Sequence, residues 1–223
     1  MEKLALYTIF ILSYVFFEKQ FFPEDYGTLY IKNLQEVSPL IEGEPASVVL
    51  VNIHRKGLLF KTYYLRLRVI TTNSSPIDYI VRTSRRVAEQ NNKYIGMSIY
   101  QRLSTGESKF TPSIPGSVFI ANDSLGKWVK DNDQVVWDFY KAYEFLTDEL
   151  QWGAFQPTLQ DYTEIQNSYK NYKPYHGANH EFGTSGSITQ KSMQYLGLGS
   201  QSIRRGLIEN FKNYLQVNYK GES

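Results

Sequence analysis

His176, His180 and Glu181 come nearest, by type and spacing, to a reaction centre in this sequence. Imidazole nitrogens and a carboxylate suit a zinc ion with one open position, which lowers the pKa of a bound water and makes it a nucleophile. The third histidine of the chain, His54, is the candidate third metal ligand. Zinc is therefore the cofactor to consider, and a metal-dependent hydrolase of cell-envelope material the matching activity. An H-x-x-x-H pair shares a face only on a helix, however, and Gly177 with nearby Pro174 disfavours one. His54 falls at an expected hairpin turn, and nothing in the sequence brings it to the pair. Two loop histidines beside turn glycines are the plainer reading.

The same loop, Asn171–Ser187, is the longest stretch without helical or strand period. Long loops inside compact folds often carry function. It ends in Gly183-Thr184-Ser185-Gly186-Ser187, just before an expected helix, where backbone N–H groups attract anions. The pattern is no phosphate loop of an NTPase, since Gly does not directly precede Lys191-Ser192 and no strand precedes the loop. Arg66, Arg68, Arg82, Arg85 and Arg86 form a second candidate binding set. Packed side by side they would present a basic face to anionic lipid headgroups; a solvated surface is the simpler account.

Other chemistry finds little support. There is no G-x-S-x-G and no S-x-x-K, and Ser187 and Lys191 are one residue too far apart for the latter. The absence of cysteine removes thiol nucleophiles, thiolate metal sites and disulfides. The carboxylate pairs Glu144 with Asp148 and Asp161 with Glu164 have the spacing of solvent-facing helix charges. A formal charge of +2 is too small for a nucleic-acid binder. Three segments, Ser113–Ile120, Leu150–Pro157 and Glu181–Gly186, look like motif blocks with Gly, Pro or Trp at turns.

The elements that must position these residues read as α+β, an antiparallel sheet of about four strands (47–121) with helices packed on it (77–90 and 134–218). A short strand is expected near Leu29–Ile31. Ser47–His54 and Leu58–Thr72 are the strands of a hairpin. In the second, Tyr63, Leu65, Leu67 and Val69 alternate inward while Tyr64, Arg66 and Arg68 face out. Ser75-Pro76-Ile77-Asp78 resembles a helix start, so a helix is expected over 77–90, ended by Asn91-Asn92. Strands are expected at 93–103 and 117–121. Asp131-Asn132-Asp133 then reads as the cap of a helix over 134–151. Further helices follow at 158–172, 187–196 and 202–218.

Leu4–Phe17 is free of charge. As a helix it spans about 21 Å at about 1.5 Å per residue, less than the roughly 30 Å of a bilayer core. No small-residue cleavage site follows, so residues 1–22 read as an uncleaved anchor, an N-terminal apolar helix, and 23–223 as one globular domain. Aromatics make up 15% of the chain, a surplus suited to partner surfaces as well as to cores. Together these features lead to the expectation of a membrane-anchored, non-catalytic envelope module with its domain on the outer side. It would bind a partner protein or serve as a subunit of a membrane complex.

Overall fold

The structure, a computed structural model, describes residues 5, 7–14, 28–57 and 61–195. Its architecture is α+β. The centre is a curled, mixed sheet of six strands rather than four antiparallel ones, in the order β1-β4-β3-β2-β5-β6. The strands are β1 (Tyr30–Ile31), β2 (Ala46–Lys56), β3 (Thr62–Thr71), β4 (Ile77–Thr83), β5 (Ser98–Arg102) and β6 (Ser108–Lys109). Only β1 runs parallel to its neighbour: Tyr30 lies opposite Arg82 on β4.

The hairpin of β2 and β3 forms as its alternation dictates, and Leu65, Leu67 and Val69 are buried. Tyr64, expected outside, is 1% exposed. It lies opposite His54 in the ladder, and the two rings stack at 5.0 Å. His54 is thus inside a strand and not at a turn. A bulge at Val51 separates the pairs Leu50–Leu67 and Asn52–Arg66, which reverses the in–out parity along β2.

The expected helix over 77–90 is corrected. Ile77–Thr83 is β4, and only Arg85–Asn91 is helical (α1). The run Ile-Asp-Tyr-Ile-Val-Arg-Thr is β-branched and aromatic, and pairing with Tyr63–Val69 outweighs the helical period. Ser84, not Ser75, is the cap; its side chain accepts from the Val87 N–H. The strand expected at 117–121 is a 3₁₀ turn over Ser117–Phe119 behind Gly116, whose φ is 70°. The strand expected at 93–103 shortens to β5.

The helix expected over 134–151 is also corrected. Its first part belongs to a separate hairpin, β7 (Gly126–Asp131) and β8 (Gln134–Phe139). Asn132 turns the chain at φ 51°, a conformation asparagine tolerates. A short helix, α2 (Phe145–Glu149), follows. The next two helices form where expected, α3 at Leu159–Asn171 and α4 at Ser187–Tyr195. The last expected helix, 202–218, lies outside the described residues.

Apolar residues cover both faces of the sheet. On one, Val48, Leu50, Leu65, Leu67 and Val81 pack with Val37, Val87 and Ala88. On the other, Val49, Ile70 and Met97 pack with Phe119, Trp137, Phe139, Leu150, Trp152, Ile165 and Phe182 from the second half of the chain. Most of the expected N-terminal anchor lies outside the described residues. Of it, Ala5 and residues 7–14 are described, with Tyr7, Ile9, Phe10, Ile11, Leu12 and Tyr14 exposed. Among the described residues no helix is long and apolar enough to cross a membrane.

Candidate functional site

A cleft of about 930 Å³ opens in the second half of the molecule. Its walls are the turn Gln151–Gln156, the first turn of α3, residues 178, 179 and 181 and one side of α4. Two of the three motif blocks, Leu150–Pro157 and Glu181–Gly186, thus meet in one place.

Trp152 fixes the turn. It is 1% exposed, its Nε1–H donates to the Pro115 carbonyl at 2.9 Å, and its ring stacks on Phe139 at 5.5 Å. Pro115 belongs to the third motif block. On either side of Trp152 the backbone is left-handed, at Gln151 (φ 55°) and Gly153 (φ 58°). An anchored tryptophan between two such residues leaves Gln151, Gly153, Ala154 and Gln156 to line the cleft. Phe155 packs edge-on against Trp152 and Phe182, at 6.0 and 5.1 Å. Three backbone N–H groups of this turn are engaged: Gln151 with Asp148, Trp152 with Thr147 and Phe155 with Trp152.

Asp161, a buried residue, also lines the cleft. Thr158 and Asp161 form a capping box, which the sequence left unread because the pair Asp161–Glu164 resembled surface charge. The Asp161 carboxylate accepts from Thr158 N–H at 2.8 Å, from Thr158 Oγ1 at 2.7 Å and from Tyr175 Oη at 2.5 Å. Burial and the hydrogen bond to Asp161 push the Tyr175 phenol far above its ordinary value, so it stays a donor. Glu181, another cleft residue, accepts from Asn179 N at 2.9 Å and from Asn179 Nδ2 at 3.0 Å.

The histidine pair does come together. The rings of His176 and His180 lie 5.1 Å apart, although no helix spans them. His176 Nδ1 sits 3.1 Å from the Phe182 carbonyl, which only accepts, so that nitrogen carries the proton. His54 is elsewhere, in β2 against Tyr64. Among the described residues no three His, Asp or Glu side chains gather closely enough to hold a metal ion.

The loop Gly183–Ser187 is held by its own chain. Thr184 N–H donates to the Lys93 carbonyl at 3.2 Å, and Thr184 Oγ1 donates to the Asn92 carbonyl. The N–H groups of Ser187, Ile188 and Thr189, which open α4, point to the carbonyls of His180 and Glu181. A β-carbon on Gly183 would lie 2.7 Å from His176 Nδ1, and one on Gly186 would lie 2.4 Å from the Glu181 carbonyl oxygen. Both glycines therefore serve close packing. Ser185 is exposed.

The arginines divide by element. Arg66 and Arg68 of β3 both donate to Asp78 of β4, at 2.6 and 2.7 Å. Arg85 pairs with Glu89 one helical turn on, at 2.7 Å. Arg82 of β4 donates its backbone N–H to the Leu29 carbonyl at 2.8 Å, and Arg86 is exposed on α1. Compared with known protein families, with curated proteins and with solved structures, the chain matches none.

Proposed function

We propose that this chain is a non-catalytic binding domain of a cell envelope, held at a membrane by its N-terminal segment with the domain on the outer side. Its binding site is the cleft. The observation that carries this reading is the state of two of the cleft's three carboxylates: Asp161 accepts three hydrogen bonds and Glu181 two, all from neighbouring groups of the same chain. A carboxylate held in this way is a structural acceptor. Three of the roughly four lone-pair sites of Asp161 and two of those of Glu181 are thereby committed to the chain's own structure rather than directed at a substrate proton. The charge-free N-terminal run supports the membrane attachment.

Photo-crosslinking in intact membranes tests the proposal. A photoreactive residue at Gln156, in the cleft, should give a discrete adduct. The same residue at Gln35, an exposed position in the 3₁₀ turn on the other side of the sheet, should not. Filling the cleft by Ala154→Trp should remove the Gln156 adduct. Equal labelling from both positions, unaffected by Ala154→Trp, would sink the idea.

A second reading, an envelope hydrolase, draws on the pairing of His176 and His180 beside Glu181. It requires that His180→Ala abolish turnover of whatever the cleft binds while leaving stability unchanged. Unaltered turnover, or a loss of folding, removes it.

A further inference from the structure

Among the described residues, five carboxamide side chains line the cleft: Gln134, Gln151, Gln156, Gln160 and Asn179. Each carries a donor and an acceptor at its tip, a combination that matches hydroxyl and acetamido groups, which also donate and accept. Among the described residues, the charged groups are Asp148, Asp161 and Glu181 against the single ammonium of Lys191. That balance repels phosphates, sulfates and uronates.

The apolar part of the wall comes from Phe155, Trp152 and Ile188 with Gly153, Ala154 and Ala178. A half-buried ring with small neighbours suits the C–H face of a pyranose. The backbone donors of Gln151, Trp152 and Phe155 bond to Asp148, Thr147 and Trp152, and left-handed backbone at Gln151 and Gly153 breaks the extended run that a peptide strand would need to pair with. About 930 Å³ is near the upper end of the range of roughly 300–1,000 Å³ for small-molecule sites. It leaves room for a short chain and not only a single ring.

Resting on the binding-domain reading above, we infer that the cleft takes an uncharged oligosaccharide, hydrogen-bonded by the carboxamides and laid against Phe155. Specificity comes from the side-chain amides and selectivity against acidic polymers from the carboxylate excess.

Calorimetric titration of the full-length protein in detergent micelles tests this with three probes. They are a tetramer of N-acetylglucosamine, an oligogalacturonate of the same length and a tetralysine peptide. The neutral tetramer should bind saturably and the uronate should not. Gln156 and Gln160 are exposed, so the double change Gln156→Ala/Gln160→Ala should leave the unfolding midpoint in place while weakening binding of the tetramer at least tenfold. Preference for the uronate, binding of tetralysine alone, or wild-type affinity in the double variant overturns the inference. If no probe binds while the Gln156 crosslink still forms, the saccharide is wrong and the binding site stands. If the crosslink fails as well, both readings fall together.

Discussion

Asp78 shows how much one side chain does on the exposed part of the sheet. Burial alone would raise its carboxyl, but hydrogen bonds from Arg68 and Arg66 prevail and hold it below the ordinary carboxylate range. A lowered folded-state value adds stability that is present above the unfolded value, about 4, and is lost as pH falls through the lowered one. Urea midpoints measured across this acid range should fall for the wild type and fall much less for Asp78→Asn; identical slopes would refute the assignment. Asp161 acts through geometry. Asp161→Ala removes the capping box and leaves the Tyr175 hydroxyl without its acceptor, a loss of about 2–4 kcal/mol. Urea denaturation measures it, and a cycle with Tyr175→Phe should show strong coupling between the two. The sequence held the loop, the histidine pair and the glycine-rich turn of this region. It did not hold the cleft amides, because a solvent-facing glutamine on a helix and one lining a cleft look the same until the elements are placed.

At the scale of elements, what could be read depended on whether period and propensity agreed. In β3 a clean alternation of Leu65, Leu67 and Val69 left one answer, and α3 was marked by the turn of helix after Thr158. Between 134 and 150 the two signals conflicted. Val136, Phe139, Tyr140 and Tyr143 fall at helical spacing, yet Val135, Val136 and Trp137 favour a strand. The segment Asp131-Asn132-Asp133 is ambiguous too, since asparagine caps helices and also turns hairpins. The hairpin makes a specific demand. Asn132→Gly should be tolerated at φ 51°, whereas Asn132→Val should destabilise by about 1–3 kcal/mol. Thermal denaturation of the two variants decides between a left-handed turn residue and a helix cap.

At the scale of the whole molecule, the sequence pointed to α+β but not to a sheet buried on both faces. The cause is physical: a strand with one wet face alternates, whereas one covered on both sides reads as a continuous apolar run. Val48, Val49 and Leu50 are such a run, and they divide between the two cores. The division has a consequence during synthesis. All six strands of the sheet lie at or before Lys109, while the layer that covers the face carrying Val49 and Ile70 continues to Phe182. The roughly 70 intervening residues take on the order of 4–15 s to add at about 5–20 residues per second. For that interval the nascent chain carries a finished sheet with one apolar face open, a surface on which a ribosome-associated chaperone would find its client.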